Sequence, residues 1–565
     1  MTKSFPRRAA AAAATLLLAA LLPWSVVVPA TADTSEGVPG VPRAEATAVS
    51  MGGAFGCVIV TDGSVRCWGD GSVGALAQGN TQDVGDDPGE STVRVPLSRP
   101  ATAVVAGSDN VCAILDTGEL RCWGHGFYGQ LAQGNQDNIG DTAGESTVAI
   151  DLGGRPATAV AVGSDHICAL TDTGQVRCWG RNDQGQLGQG NTDDWGDDPG
   201  ETTTLPVPMP RPAVAISASL QATCAILDTG AVHCWGSGEY GKLMHGNAGD
   251  VGNDSTEHTV PLAIAPHTAL TIAGGERGFC AIYDDHLARC WGGSSEGELG
   301  LGRDTPYGDD PGETNVPALP LPAGRTAVAL SAGGHDACAV LDNGELRCWG
   351  DGIAGQLGQG NGDDVGESPG ESTVAVSLDG PVRAVSVGGS TICAVTPSGL
   401  RCWGFGSSGR LGNGSSANYG DSPGQVPALL PPIKLGGLSV GRDTDGDGVR
   451  DAVDACPTVS GPLADGCVPA PEAVLKGKKV LLHTVLAKKK ATAKCPGKAE
   501  VAVKTKSKHG RVKVTKLLKT RTVATGCLVT GKVRLPAKPK KTAAVKATVS
   551  GKKLQTKRLV AVRQP

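Results

Sequence analysis

The residues whose types and spacing can do chemistry in this chain are paired cysteines and one tight cluster of aspartates. Fourteen of the 18 cysteines fall into seven pairs: Cys57 with Cys67, Cys112 with Cys122, Cys168 with Cys178, Cys224 with Cys234, Cys280 with Cys290, Cys338 with Cys348 and Cys393 with Cys402. Six pairs are ten residues apart and the last is nine. An Asp-Thr-Gly or similar turn sits midway, so a hairpin sets the two thiols across from each other. A non-hydrogen-bonded cross-strand pair brings α-carbons to about 4.5 Å, within disulfide reach. Each pair is expected to be a disulfide. Zinc is the rival chemistry, but no pair has a second pair or histidines at zinc spacing. The aspartate cluster is Asp443-Thr-Asp445-Gly-Asp447-Gly448-Val449-Arg-Asp451-Ala-Val-Asp454. Acids at positions 1, 3 and 5, Gly at 6, a carbonyl at 7 and acids at 9 and 12 match a calcium loop, because a hard cation needs many close oxygens. Asp at position 12 is shorter than the usual Glu, which weakens bidentate binding there.

Groups for turnover are missing from the pattern. There is no nucleophile elbow, zincin motif or phosphate loop. The ten histidines are scattered, and His166 and His335 fall within one position of each other in a repeat frame, which reads as structure. The chain is expected not to be an enzyme; a wall or polysaccharide hydrolase stands only as a remote alternative.

The elements that must position these residues are repeats. Cys-Trp-Gly occurs seven times, with tryptophans at 68, 123, 179, 235, 291, 349 and 403. A steady period of this length is a repeat architecture. Within a unit, short runs of alternating Val, Ile, Leu and Ala are bounded by Gly, Asp and Asn, so strands are expected, for example Ile167–Thr171 and Gln175–Trp179. Helical spacing is absent. Each unit has the length of a four-stranded blade, and 83 glycines suit tight turns. The expectation is an all-β protein whose residues 45–440 form a seven-bladed β-propeller. The segment Leu435–Val440 resembles the start of the first copy, and the two ends are expected to meet and share a blade.

Gly-Gln-Leu-Gly-Gln-Gly-Asn, at Gly185–Asn191 and Gly355–Asn361 just after Trp-Gly, resembles the regulator of chromosome condensation repeat. The resemblance covers about residues 45–440 and implies a seven-bladed propeller. The best-known eukaryotic member of that family exchanges nucleotide on a small GTPase. None of its features outside the repeat can be matched here, so no GTPase partner is expected.

Each Cys-Trp-Gly tryptophan points to the opposite strand face from its cysteine. Packing between blades is its expected role, with ligand binding as the alternative. After Gly-Asn, most copies carry an acidic Pro/Gly loop such as Val84-Gly-Asp-Asp-Pro-Gly-Glu-Ser-Thr92. Two readings stand for this rim: a solvated negative face, or a multivalent binding surface. Candidate binding aromatics are Trp195, Tyr307 and Tyr419 in these loops. Phe127 and Tyr128, with Tyr240 and Phe405, lie in the neighbouring loop.

The termini add further domains. Lys3, Arg7 and Arg8, the apolar run Ala9–Val28 and Ala30-Thr31-Ala32 read as a cleaved signal peptide over 1–32, followed by a lead-in over 33–44. Residues 443–468, with Cys456-Pro457 and Cys467, resemble a thrombospondin type 3 repeat. That resemblance implies calcium on Asp443, Asp445, Asp447, the Val449 carbonyl and Asp454, with Asp451 through water. A Cys456–Cys467 disulfide is expected with it. Residues 475–565 read as a small β-sandwich-like basic domain, in which Cys495 and Cys527 can bridge strands. From Pro471 onward there are 27 Lys and Arg against 2 acids, on a chain of net charge -5. That domain surface serves either solubility or an anionic partner, and lysine without aromatics argues against sequence-specific nucleic acid. The combined expectation is a secreted bacterial surface or adhesion protein. Its rim would bind an extracellular protein or a glycan, and its basic domain an anionic cell-wall polymer or lipid headgroups. A structural surface protein without a specific ligand is the alternative.

Overall fold

The computed structural model describes residues 45–435, less 89, 91, 146, 257, 263–266, 314 and 372, and the backbone of strands between 473 and 563. The chain divides into two compact units, Met1–Leu438 and Ser439–Pro565. The signal segment, the lead-in and the aspartate loop with Asp443, Asp445, Asp447, Val449, Asp451, Asp454, Cys456 and Cys467 lie outside the described residues, as does Cys495.

The first unit is seven antiparallel sheets in sequence order. In the first blade the strands are Ala46–Met51, Phe55–Val60, Val65–Gly69 and Val93–Arg94, paired in that order. The other blades repeat this plan. In blades 5 and 7 three strands pair as a sheet. The outer segment there keeps one backbone bond, from Leu319 N–H to Ala288 O and from Ile433 N–H to Leu400 O, both 2.8 Å. The first strands line the axis through small residues such as Ser50, Ala106, Ala161, Ala218, Gly274 and Ser386. The strands form because β-branched and small apolar residues alternate between two buried faces. The hairpin strands are buried almost throughout, as at Phe55–Val60 and Val65–Gly69.

Each blade hairpin carries one disulfide. Cys57 is bonded to Cys67, Cys112 to Cys122, Cys168 to Cys178 and Cys224 to Cys234. Cys280 is bonded to Cys290, Cys338 to Cys348 and Cys393 to Cys402. The two cysteines stand directly opposite in the hairpin register, as in Cys168↔Cys178. Their α-carbons are 4.0 to 4.1 Å apart. This is slightly closer than the about 4.5 Å of a non-hydrogen-bonded cross-strand pair. In the seventh blade Thr396 pairs with Gly399, so the hairpin turns on Pro397 and Ser398 and is one residue shorter.

The blades are joined by main-chain acceptors. Every Cys-Trp-Gly indole is fully buried and donates its N–H to a carbonyl of the preceding blade. The bonds run from Trp123 to Ala75, Trp179 to Gln130, Trp235 to Gln186, Trp291 to Lys242, Trp349 to Glu298 and Trp403 to Gln356, at 2.7 to 2.9 Å. Trp68 closes the ring on Arg410 O at 2.9 Å. The following glycine is required: Gly69 has φ +104, and a Cβ there would lie 2.5 Å from the Phe55 α-carbon.

Serines link the inner edges in the same direction. Ser50 Oγ accepts from Ala106 N–H (2.9 Å), Ser331 from Val387 (3.0 Å) and Ser386 from Met51 (2.8 Å). These bonds satisfy strand-edge donors that would otherwise be buried without partners. The first blade draws all four strands from residues 46–94, so it shares none with the far end of the ring. Residues 436–440 of the segment expected to share a blade with the first copy lie outside the described residues; among the described ones, blades 7 and 1 pack side by side through the same kind of seam as elsewhere.

In the second unit seven strands between Ala473 and Arg563 pair into a closed barrel. A sandwich was expected. The difference is the parallel pairing of Val474 with Val562 and Leu475 with Arg563, which joins the first strand to the last. Cys527 stands on a strand of this barrel, opposite Leu486 on one side and Thr522 on the other.

Candidate binding face

Two kinds of loop face the ends of the propeller. On the hairpin face, the entry to a blade pairs with the blade's own hairpin turn. Arg99–Asp116, Arg155–Asp172, Arg211–Asp228 and Arg325–Asp342 repeat this ion pair, with His267–Asp284 in the fifth blade. The repetition marks it as scaffold. Exposed pairs of this kind contribute little to stability, because water screens them.

The cysteines of the Cys-Trp-Gly triplets are scaffold too. Cys67, Cys122, Cys178, Cys234, Cys290, Cys348 and Cys402 are all buried, so none offers sulfur chemistry to a ligand at either end of the ring.

On the opposite, loop face, the acidic motif proves to be scaffold as well. Glu201 Oε2 accepts from Gly196 N–H at 3.0 Å, Glu313 from Gly308 at 2.8 Å and Glu90 from Gly85 at 3.2 Å. Each glutamate thus caps its own loop. Asp83, Asp194, Asp250 and Asp364 accept main-chain N–H groups of Gly71, Asn182, Gly238 and Gly352. The glycine loops also latch neighbouring blades: Gly79 N–H bonds Gly140 O, Gly134 bonds Gly196, Gly190 bonds Gly252, and Gly414 bonds Gly85 across the ring closure.

The candidate rim aromatics divide. Trp195 is half-buried, its indole donating to Thr203 O at 3.1 Å, and Tyr307 donates to Asn315 O at 2.8 Å. Tyr419 packs half-buried against the core. All three continue the strand edge, bridging Gly180, Gly292 and Gly404. They hold their loops and present no open platform. Phe127 is different: it is 52% exposed, stacks on His125 and meets Tyr128 edge-on. Arg181 lies over Tyr128 at 5.0 Å, Arg277 over Tyr240 at 5.4 Å, and Arg410 over Phe405 at 4.8 Å.

The arrangement that carries information was missed at the level of motifs. The residue directly after each Cys-Trp-Gly donates its N–H to the turn between the first two strands. These bonds run from Asp70 to Ala54, His125 to Asp109, Arg181 to Asp165, Ser237 to Gln221, Gly293 to Arg277, Asp351 to His335 and Phe405 to Ser390. A third ring, Ala75, Gln130, Gln186, Lys242, Glu298, Gln356 and Arg410, has its carbonyls held by the tryptophans. Backbone geometry is thus repeated around the ring while the side chains differ. The signal was present in the sequence as variation next to an invariant triplet.

Charge is uneven on this face. His335 sits between Glu276 (3.5 Å) and Glu298 (3.3 Å), and these two carboxylates raise its pKa to about 10. Burial raises the Asp109 carboxyl, and the charges of Asp165 and Asp70 add to that. Burial lowers the Lys242 ammonium. His166 is buried against Thr223 Oγ1 at 2.8 Å, and burial pushes its pKa down to about 4. Among the described residues, the one three-residue group able to hold a metal ion is His267, Asp284 and Asp285, and Arg289 already pairs with Asp285 at 2.7 Å.

Residues 28–390 match the RCC1-like domain family, and the chain belongs to it. It is 28% identical over 401 residues to the ultraviolet-B receptor UVR8 of Arabidopsis thaliana, covering 68% of this chain and 82% of that one. It is 26% identical to human E3 ubiquitin-protein ligase HERC2, over 65% of this chain but 7% of the ligase. It is also 26% identical to the regulator of chromosome condensation of Drosophila melanogaster, over 58% of each. Human WBSCR16 shares the fold, with a TM-score of 0.52, 19% identity, and coverage of 62% of this chain and 87% of that one.

These relatives correct two expectations. They are eukaryotic proteins, mostly regulators or receptors, and none of them is a bacterial surface or adhesion protein. The exclusion of a GTPase partner also falls, because the relatives include regulators of chromosome condensation. Nothing in the relatives supports a glycan, a cell-wall polymer or lipid headgroups as partner. The physical reason is that the motifs read from the sequence build the ring and so say nothing of what it binds.

Proposed function

We propose that this chain is a regulatory propeller that binds a protein partner on the loop face and performs no turnover of its own. The observation that carries this is the ring of positions after Cys-Trp-Gly, where a repeated backbone bond holds different side chains. Rigid main chain with variable side chains is how a scaffold presents a specific surface. Exposed Phe127 beside Tyr128 and Arg181 supplies the aromatic and arginine chemistry typical of binding hot spots. The regulators and receptors among the relatives support the same reading. The test compares partners captured by proximity cross-linking with wild-type protein, with Phe127→Ala/Arg181→Glu, and with Arg99→Ala on the hairpin face. Loss in the first variant alone is expected. Loss only in the hairpin-face variant would refute the assignment.

Two further readings complete the proposal. Seven hairpin disulfides suit an oxidising compartment, reached through the leader at 1–32. Sequencing the mature N-terminus checks this, with Asp33 expected first. The donor set Asp443, Asp445, Asp447, Val449 O, Asp451 and Asp454 is all oxygen, which suits calcium. Calorimetric titration of calcium into wild-type protein and Asp445→Asn checks that reading.

A further inference from the structure

On the loop face the seventh blade differs in charge from both of its neighbours. Residues 351–373 of blade 6 contain five Asp or Glu and no Lys, Arg or His, and so do residues 70–92 of blade 1. Residues 405–425 of blade 7, between them, contain one acid, Asp421, and one base, Arg410. Two large apolar side chains are exposed in this sector, Ile353 at 75% and Phe405 at 38%. Neither is needed to build its loop. Ile353 gives its N–H to Asp351 Oδ1 at 2.8 Å, and in blade 1 Ser72 makes the same bond to Asp70 Oδ1 at 2.7 Å. Phe405 takes the place held by Asp70 and Ser237 in other blades, and its N–H bond to Ser390 O is the one those residues also make.

Packing brings the apolar pair and the acidic loops together. Trp403 donates to Gln356 O at 2.8 Å, which fastens the Ile353 loop to the strand leading into Phe405. The Ile353 main chain lies against Gly362, next to Asp363: a Cβ on Gly362 would meet the Ile353 carbonyl oxygen at 3.3 Å. On the other side, a Cβ on Gly409 would meet Asp86 N at 2.4 Å, so the loop from Phe405 to Arg410 rests on the acidic loop of blade 1. Arg410 covers the Phe405 ring at 4.8 Å and is held by main chain, with Nη1 on Gly53 O and Nε on Ser407 O, both 3.0 Å. The Glu367 carboxyl is raised, by desolvation first and then by the charges of Asp364, Glu371, Glu296 and Asp304, so like charges gather beside the patch. An apolar contact in such a field favours cationic partners and repels acidic ones.

We propose that this sector docks a basic segment of a partner protein. One aliphatic or aromatic side chain of the segment packs on Ile353 and Phe405, and Lys or Arg on either side of it face the acidic loops of blades 6 and 1. The assignment rests on the loop-face reading and adds the chemistry of the partner. The apolar contact fixes the place of docking, and the flanking charges speed encounter and set register. Carboxylates alone would hold any polycation, so the apolar centre supplies the discrimination.

The experiment measures fluorescence anisotropy with the full chain and three labelled peptides: a leucine flanked on both sides by lysines, the same peptide with serine for leucine, and the leucine flanked by glutamates. The lysine–leucine peptide is expected to bind, the serine peptide at least about tenfold more weakly, and the glutamate peptide not at all. Ile353→Ser, and separately Asp363→Asn/Asp86→Asn, should each weaken the lysine–leucine peptide about tenfold. Serine already serves at Ser72, so Ile353→Ser keeps the loop, and its urea midpoint confirms folding. Equal binding of the serine or glutamate peptide, or unchanged binding to folded Ile353→Ser, would overturn the proposal. Dimerisation of the full chain that Ile353→Ser abolishes, seen by sedimentation, would overturn it in favour of a second copy as occupant. The two readings fail separately. Partner capture that depends on Phe127 and Arg181 while no lysine peptide binds would overturn this proposal alone. Peptide binding lost in Ile353→Ser, with capture unaffected by Phe127→Ala/Arg181→Glu, would support it and overturn the assignment to Phe127 and Arg181.

Discussion

Trp123→Phe isolates what a single Cys-Trp-Gly indole contributes to a seam. The indole is fully buried, and its N–H reaches Ala75 O at 2.8 Å in the preceding blade. Phenylalanine strands that carbonyl in a dry interface, which costs about 1–3 kcal/mol. The contraction from indole to phenyl leaves roughly 40 Å³, worth about 1 kcal/mol at the usual cavity penalty. The expected loss is therefore about 2–4 kcal/mol. Trp195→Phe is the internal control. Its indole also bonds a carbonyl, Thr203 O at 3.1 Å, but in a half-buried loop where water can replace it. Its loss should stay below about 1 kcal/mol. Urea unfolding read by tryptophan fluorescence reports chiefly on the propeller, because eight of the nine tryptophans lie between Trp68 and Trp403 and the ninth is Trp24. Equal destabilisation by the two variants, or less than about 0.5 kcal/mol from Trp123→Phe, would refute the claim that the buried acceptor makes the difference.

Removing one hairpin staple with Cys168→Ser/Cys178→Ser should cost about 3 kcal/mol by loop-closure entropy, measured in the same urea assay. His166 titrates at about 4 when folded against 6.5 when exposed, so the unfolded chain binds the extra proton between those values. Stability is then full above pH 6.5 and falls as pH drops toward 4, by roughly 3 kcal/mol, and His166→Asn should flatten that acid limb in pH-dependent unfolding. His335 has the opposite sign: its folded pKa is about 10 against 6.5, so its contribution is full below 6.5 and lost as pH rises to 10. His335→Gln should therefore destabilise at pH 6 and change little above pH 10. Glu201→Ala uncaps Gly196 and Asp198, so hydrogen exchange should quicken over residues 196–201 while global stability changes by less than about 1 kcal/mol.

Much of the ring was legible because each blade repeats the same local signals. Cys168 and Cys178 flank a turn of fixed length, so their pairing follows from the hairpin alone. The partner of Trp179 was not legible: it is a main-chain oxygen of Gln130, 49 residues back. No side-chain pattern announces a carbonyl. Trp195 and Tyr307 looked like binding aromatics because they interrupt acidic loops, yet their polar tips are spent on Thr203 and Asn315. The barrel of the second unit rests on a parallel pairing of Val474 with Val562, and alternating lysines carry no register for such a long-range contact.

The seam between the seventh and first blades uses the same parts as the seams between sequence neighbours: an indole on a carbonyl, a serine on an inner-edge N–H, and a glycine latch from Gly414 to Gly85. The ring therefore has no privileged first blade. Joining Glu45 to Leu435 by a short linker and opening the chain between any two other blades would preserve these bonds. Blade order is not written in the shared backbone. It is carried by the few side chains that differ across each seam, such as Lys242, Glu298 and Arg410, which act as addresses in an otherwise interchangeable set.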